Sequence, residues 1–187
     1  AMGDYTYLVA SLPALSLEAP PPFSPDEFRF ACQGVLSDED LAELDLLLAG
    51  RAAEGRTAFS QAWAAADAQI RNSTAKARAA KLGVEAKGFL RSHSGYAVWL
   101  DKDVSDALAK ANPLAREAGL DAARWKFVEE LAQADPFGRP AVLAFAVKLM
   151  LAARWAALDE AAGRERLEDL VSRLEEKAAS KGAADFT

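Results

Sequence analysis

Residues 141–162 read AVLAFAVKLMLAARWAALDEAA, and this stretch decides the fold. In a helix its apolar residues lie on nearly every side, which is typical of a helix surrounded by protein. Lys148 and Arg154 interrupt the stretch, whereas a membrane span needs about 20 mainly apolar residues. The stretch therefore predicts the buried central helix of a bundle, ended by Gly163, and no transmembrane segment.

A second long helix is predicted from about Thr57 to Leu82. Phe59, Trp63 and Ile70 recur at helical spacing, and Gly83 is a suitable stop. Together the two stretches predict an all-α fold, an irregular multi-helix bundle with a long helix over about 57–82 and a buried central helix over about 141–162.

The composition favours helices over strands. Alanine accounts for 43 of the 187 residues, whereas Ile70 is the only isoleucine. Alanine is the strongest helix former, and β-branched residues are the usual strand formers. A chain of this length with 51% hydrophobic residues can bury the core of one ordinary domain.

The beginning of the chain differs from the rest. Residues Tyr5–Leu17 are apolar and broken by Pro13, so they form either a short helix or an extended segment over the core. Pro20, Pro21 and Pro22 then form a stiff spacer. The predicted organisation is an N-terminal apolar segment with its spacer over 1–22, a helical domain over 23–179 that is single or has two lobes meeting near 92–101, and a flexible tail over 180–187.

Capping residues and helix breakers divide the remaining chain into shorter elements. Ser24 before Pro25 and Ser37 before three acidic residues are strong helix starts. The other predicted elements are a loosely helical segment from Val84 to Arg91, a loop over 92–95, a helix capped by Asp101 or Asp103 that reaches Ala111, a short helix that ends at Gly119, a helix capped by Asp121, a turn over 135–140 and a last amphipathic helix carrying Leu167, Leu170, Val171 and Leu174.

Charge and cysteine content exclude several classes of function. The net charge of −6 and pI near 4.9 disfavour nucleic acid as a partner, because phosphate binding needs excess Lys and Arg. A single cysteine, Cys32, excludes an intramolecular disulfide and a multi-thiolate metal site. Because no signal peptide is visible and no cysteine can be paired, we expect a cytoplasmic protein.

Catalytic motifs are missing from the sequence. There is no glycine-rich phosphate loop, no dinucleotide fingerprint and only one histidine. His93 lies between Ser92 and Ser94, so it is either a base that activates a serine or an exposed loop residue, and we expect the latter. Cys32 is either a reactive thiol or, as we expect, a small buried hydrophobe. We therefore predict no enzyme, no catalytic residues, no cofactor and no metal.

Lys148 is the unusual charge of the central helix. An ammonium among apolar neighbours needs a partner or access to solvent, and Glu129 and Glu130 are candidate partners. The residue is either a contact or proton-relay lysine or one that extends its stem to the surface, and we favour the latter.

A basic stretch stands out in this acidic chain. Six basic residues and one acidic residue, Glu85, lie between positions 71 and 91. Such a concentration of charge either steers an acidic partner or forms an ordinary solvated face with acidic neighbours. The predicted partner-binding residues are Arg71, Arg78, Lys81, Lys87 and Arg91.

Three stretches resemble a bacterial family of uncharacterised helical proteins associated with V-type (A/V-type) ATPases. They are YTYLVASLP at Tyr5–Pro13, RN through ARAAKLG at 71–83, and the block from Asp135-Pro136-Phe137 through Ala146–Leu149 to Arg154-Trp155 and Asp159. The middle stretch is also similar to helical repeats of the funnel-shaped subunit that couples the central stalk to the membrane ring. This chain is much shorter than that subunit.

The resemblance implies a non-catalytic coupling, structural or assembly subunit of a bacterial rotary ATPase that transports protons or sodium ions. Its partners would be protein subunits of the stalk or the membrane ring, which would hold it at the inner face of the membrane. Two alternatives are a small helical ligand-binding protein or enzyme with an interhelical pocket involving Lys148, Trp155 or His93, and a helical adaptor unrelated to ATPases.

Overall fold

The regular structure of the protein is all-α. The computed structural model describes residues 5–158 and 169–173, and these ranges contain no strand. The helices are α1 (Thr6–Ser11), α2 (Pro25–Cys32), α3 (Asp38–Leu48), α4 (Ala58–Leu82), α5 (Val98–Ala109), α6 (Pro113–Ala132) and α7 (Arg139–Ala156), with 3-10 turns at Ala52–Glu54 and Lys87–Phe89. Residues 169–173 are also helical, and the rest of the predicted last helix lies outside the described residues.

The starts of α2, α3 and α4 lie where the sequence predicts them. Ser24 forms a capping box with Glu27, in which the Ser24 side chain accepts from the Glu27 amide and the Glu27 carboxylate accepts from the Ser24 amide. Ser37 and Thr57 accept in the same way from amides in the first turns of α3 and α4. Gly83 ends α4 in the left-handed region, with φ of +67°, as predicted.

Helix α7 occupies the centre of the bundle, but its predicted limits of 141 and 162 are wrong. Pro140 is accommodated in the first turn, so the helix starts at Arg139 rather than after the turn. It ends at Ala156, because Ala156, Ala157 and Leu158 are exposed and lack the burial that stabilises the preceding turns. The predicted stop at Gly163 lies outside the described residues.

Buried side chains form two clusters that share helices. The first surrounds α7 with side chains from the N-terminal segment, α2 and α3, and within it the tilted rings of Phe28 and Phe145 are in contact, with centroids 4.9 Å apart. The second joins Ile70 of α4 to Leu100 of α5 and Leu120 of α6. Because α4 and α6 contribute to both clusters, they connect the two halves of the core.

The N-terminal segment combines the two predicted alternatives, since a short helix is followed by an extended stretch that packs against the first cluster. Tyr5 is buried, its amide donates to the carbonyl of Phe137 at 3.0 Å, and its hydroxyl donates to Asp40. Asp40 is also ion-paired with Arg139 at the start of α7. A buried polar network therefore fastens the N-terminus to α3 and α7.

Several predicted boundaries between α4 and α6 are wrong. The segment from Val84 to Arg91 contains only the 3-10 turn. Gly83 ends α4 in the left-handed region, and Gly88 within the turn is a poor helix former. Helix α5 starts at Val98 without a side-chain cap and ends at Ala109 instead of Ala111. Asp101 lies inside its first turn and accepts hydrogen bonds from α4, so neither predicted aspartate caps the helix.

Gly119 lies within α6 and does not end a helix. Asn112 caps one continuous helix through Ala132, so Asp121 is not a cap either. A Cβ added at Gly119 would lie 2.7 Å from the Cβ of Ala107 and 3.1 Å from its Cα. Glycine is present here because α5 and α6 approach too closely for a side chain.

Glu43 fastens α3 to the start of α4. Its carboxylate accepts from the Ser60 hydroxyl at 2.5 Å, the Thr57 hydroxyl at 3.0 Å and the Arg56 amide. Burial raises the pKa of Glu43, but these hydrogen bonds together lower it by more than burial raises it. The pKa therefore lies below its usual 4.5. Glu43 therefore stabilises the fold when it is ionised.

Replacing Gly119 tests the close contact between α5 and α6. Gly119→Ala should lower the free energy of unfolding by roughly 1–2 kcal/mol, because steric cost of about 1–3 kcal/mol exceeds the gain of about 1 kcal/mol in helix propensity. Gly88→Ala is the control, since a Cβ there meets nothing within 4 Å. Urea unfolding measures both changes, and a Gly119→Ala protein more stable than wild type would contradict the contact.

Replacing Glu43 tests the sign of its pKa shift. At pH 7 Glu43→Gln should lower the free energy of unfolding by about 1–2 kcal/mol, because a neutral amide accepts these hydrogen bonds more weakly. A carboxyl with a lowered folded pKa contributes stability above its unfolded pKa and loses it as the pH falls through the folded value. The difference between wild type and variant should therefore shrink between pH 7 and pH 3 in urea unfolding, and a difference that grows on acidification would refute this role.

Candidate docking surface

Two buried amide side chains of α4 position the segment that follows this helix. Asn72 donates to the carbonyl of Arg91 and accepts from the Arg91 amide, both at 2.8 Å. Gln69 makes the same pair with Ala97, at 2.9 and 3.0 Å. Each amide satisfies both backbone groups of one residue, so the loop between α4 and α5 is held against α4 at two points.

Asp101 strengthens this attachment at the start of α5. Its carboxylate accepts from Gln69 at 3.0 Å, from Ser73 at 2.7 Å and from the Tyr96 hydroxyl. Burial raises the pKa of Asp101, but the hydrogen bonds and the charge of Lys76 together lower it by more. The pKa of Asp101 therefore lies below its usual value. The ionised carboxylate therefore links α4, the loop and α5.

Large apolar side chains are exposed where α4 ends. The exposed fractions are 76% for Leu82, 54% for Val84 and 71% for Phe89. These three side chains line an open groove of about 570 Å³ between α4, the following loop and α6. We call it the docking groove, because exposed apolar side chains within a polar rim are typical of protein interaction sites.

The structure brings together most of the predicted basic residues at this groove. Arg71, Arg78 and Arg91 line it, Lys81 lies beside Arg78 in an adjoining depression, and Lys87 is exposed in the 3-10 turn before Phe89. Their role in partner binding stays a prediction.

Two of these basic residues have acidic neighbours, as expected for an ordinary solvated helix face. Arg71 is paired with Asp67 at 2.6 Å, and Arg78 lies 3.9 Å from Glu117. Within the described part of the chain, no carboxylate pairs with Lys81, Lys87 or Arg91. The rim of the docking groove therefore retains positive charge.

A chain of ion pairs is centred on a buried aspartate, and it was not predicted from the sequence. Asp121 has no exposed area, and its carboxylate accepts from Arg124 at 2.9 Å, from the Trp155 indole at 2.8 Å and from Arg154. Arg124 also contacts Asp67 at 3.2 Å, and Asp67 holds Arg71. Alternating charges thus run from α4 through α6 to α7.

One feature of the sequence could have revealed this chain of ion pairs. Asp121 lies between apolar Leu120 and Ala123 and three residues before Arg124, which is the spacing of an ion pair on one helix face. The glycine at 119 suggested a helix stop and hence a capping role for the aspartate, which obscured that pattern.

A second groove adjoins the first and is lined by arginines. It has a volume of about 520 Å³ and lies between α4, α6, α7 and the loop at 91–94. We call it the arginine groove, because Arg71, Arg91, Arg124 and Arg154 line it together. The first three of these also line the docking groove.

His93 lines the arginine groove, so the expectation of an exposed loop residue is wrong. It is half-buried, and its Nδ1 atom is enclosed without a hydrogen-bond partner among the described residues. Neither Ser92 nor Ser94 makes a hydrogen bond with it in this part of the chain. Cys32 is fully buried, as expected, and burial raises the pKa of its thiol to about 11.

Lys148 lies away from both grooves and is paired with Glu129, one of its two candidate partners. The Nζ–Oε1 distance is 2.9 Å, and the ammonium lies over the Trp125 ring, 4.5 Å from its centre. The Lys148 side chain is 21% exposed, so its stem extends towards solvent, which is the alternative that the sequence analysis favoured.

Comparison with known proteins adds one finding. Residues 95–178, less than half of the chain, match the model of a family described as "Protein of unknown function (DUF2764)". No curated protein and no solved structure matches the chain. The match spans α5, α6 and α7, including Asp121, Arg124 and Arg154, and leaves out α4 and most of the docking groove.

Two further features bear on the type of site. Among residues 5–158 and 169–173, no three His, Cys, Asp or Glu residues are grouped to hold a metal ion. No helix in these ranges has the length and hydropathy needed to cross a membrane.

Neutralising Asp121 tests the ionic chain. Asp121→Asn should lower the free energy of unfolding by about 3 kcal/mol, because removing one partner of a buried pair leaves the arginine charges uncompensated. Asp106→Asn is the matched control, since its pair with Lys102 is exposed and contributes at most about 0.5 kcal/mol. Urea unfolding at pH 7 compares the variants, and equal small losses would show that Asp121 is not a structural hub.

Proposed function

We propose that the protein is a non-catalytic coupling, structural or assembly subunit of a bacterial V-type (A/V-type) rotary ATPase, which transports protons or sodium ions. It docks on other ATPase subunits of the stalk or the membrane ring through the docking groove. Its place is cytoplasmic, at the inner face of the membrane as part of the complex. The family resemblance of the three sequence stretches suggests the assembly, and the groove suggests the means of attachment.

The observation that carries the docking role is the combination of exposed apolar side chains with uncompensated positive charge. Leu82 and Phe89 offer apolar area to a partner, Arg91 lines the groove with them, and the exposed Lys81 and Lys87 lie beside Leu82 and Gly88 in the chain. On a chain of net charge −6, this local excess selects a partner surface that carries carboxylates around an apolar centre.

The rigidity of the surface supports the same role. Asn72 fixes the backbone of Arg91, two residues after Phe89, and Gln69 fixes that of Ala97 at the end of the loop, so little conformational entropy is lost when a partner binds. The occupant is therefore an acidic, amphipathic surface of an ATPase subunit.

The ligand-binding alternative has one observation in its favour. The arginine groove is a concave space between α7 and its neighbours, as that alternative requires, and it contains His93 but not Lys148. A ligand site in this groove is compatible with a structural role in a larger complex.

Charge reversal on the rim tests the docking proposal. Lys81→Glu combined with Lys87→Glu should weaken association with ATPase subunits about tenfold at low ionic strength, because attraction at the rim becomes repulsion. The measurement is affinity purification from native membranes, with the ATPase subunits quantified by mass spectrometry.

The matched control is Arg51→Glu combined with Lys102→Glu, which changes the net charge equally at exposed positions outside the groove. Equal recovery with both double variants would remove the groove from the interface. Failure of the wild-type protein to recover any rotary ATPase subunit would refute the assembly itself.

A further inference from the structure

The arginine groove combines an apolar wall with a cationic end. Val147, Met150 and Leu151 of α7 and Ala64 of α4 form the wall, together with Leu47 at the end of α3. The charged end carries the four arginines and His93. A volume of about 520 Å³ suits a small molecule, since ligand pockets commonly measure about 300–1,000 Å³.

The positive charges of the groove exceed its negative charges. Four arginines and two aspartates, Asp67 and Asp121, line it. Both carboxylates are already committed to arginines of the ionic chain, and Asp121 is closed to solvent. Two positive charges therefore remain for an anionic ligand.

The arginines also have unused hydrogen-bond donors. A guanidinium carries five N–H donors, whereas Arg71 uses its Nε atom towards Asp67 and Arg154 uses one Nη atom towards Asp121. The Arg91 side chain makes no hydrogen bond to the described residues, although its backbone is fixed by Asn72. Planar guanidinium groups bind carboxylate and phosphate oxygens in pairs.

The aspartates hold three of the four arginines in place before a ligand arrives. Arg124 is 15% exposed in its side chain and bridges Asp67 and Asp121, so it fixes the positions of both carboxylates. Arg71 and Arg154 extend from those carboxylates with about half of their side chains exposed. Preorganised donors lose less entropy on binding than free side chains.

His93 adds an imidazole at the same end of the groove. Its enclosed Nδ1 atom lacks a hydrogen-bond partner among the described residues, and enclosed polar atoms are normally satisfied. Because this atom is closed to solvent, a bound anion would contact another atom of the half-buried ring, which lines the groove.

We propose that the arginine groove binds a small organic oxyanion, in which a carboxylate or phosphate group is attached to a short apolar chain. The oxyanion lies between Arg91, Arg154 and His93, and the apolar chain lies along Val147 and Leu151. The two proposals share Arg91, but Arg154 and the α7 wall belong only to the arginine groove, so this site can be tested without any ATPase subunit.

Isothermal titration calorimetry with simple probes tests the site. Hexyl phosphate and hexanoate distinguish phosphate from carboxylate, inorganic phosphate lacks the apolar chain, and hexyltrimethylammonium reverses the charge. We expect 1:1 binding of at least one of the two hexyl anions, at least about tenfold tighter than inorganic phosphate because of the buried chain. Absence of saturable binding by both, equal affinity for inorganic phosphate, or comparable binding of the cation would overturn the proposal.

Variants locate the bound anion. Arg154→Gln and Arg91→Gln should each weaken binding about tenfold, because each removes a charge-assisted hydrogen bond. Arg91→Gln leaves every ion pair of the described residues intact, so it remains informative if Arg154→Gln perturbs folding. Two controls should leave binding unchanged within about twofold. They are Lys102→Gln, at an exposed side chain of α5, and the double variant Lys81→Glu with Lys87→Glu. Unchanged affinity in Arg91→Gln and Arg154→Gln would overturn the site.

Discussion

A carboxylate without solvent contact constrains the rest of this structure. Taking the Asp121 carboxylate out of water is costly unless opposite charge and hydrogen bonds surround it. Arg124, Arg154 and Trp155 provide both, and they bring α6 and α7 to fixed positions around the aspartate. Through Asp67 the same requirement extends to α4, so the helices that connect the two apolar clusters are also joined by charge.

The two grooves follow from this arrangement. The arginines that neutralise Asp67 and Asp121 need solvent for their remaining donors. Arg71 and Arg124 therefore line both grooves, and Arg154 lines the arginine groove. The loop after α4 contributes Phe89 to the docking groove and His93 to the arginine groove, and it is fixed by Asn72 and Gln69. One groove presents Leu82 and Phe89 at the surface, whereas the other has its apolar wall in the interior. An interaction surface and a ligand site thus share one cationic framework.

Apolar periodicity and capping chemistry were enough to predict the fold class, the buried α7 and the extent of α4, because these depend on neighbours along the chain. Contacts across the chain were not predictable in this way. Gly119 has the same local appearance whether it ends a helix or admits Ala107, and only the packing of α5 distinguishes the two. Likewise, Asp121 two residues after a glycine resembles a cap, and its partner Arg154 lies 33 residues away. The basic residues of the docking groove were predicted because they cluster in sequence.

Asp121 joins α6 to α7 by fixing Arg124 and Arg154. The most direct measurement is a double-mutant cycle on Asp121→Asn and Arg154→Gln, with the free energy of unfolding of all four proteins determined in urea at pH 7. We expect a coupling energy of about 1–3 kcal/mol, since the two side chains share one ion pair whose carboxylate is fully buried. Additive effects, within about 0.3 kcal/mol, would show that the two residues act independently and would contradict it.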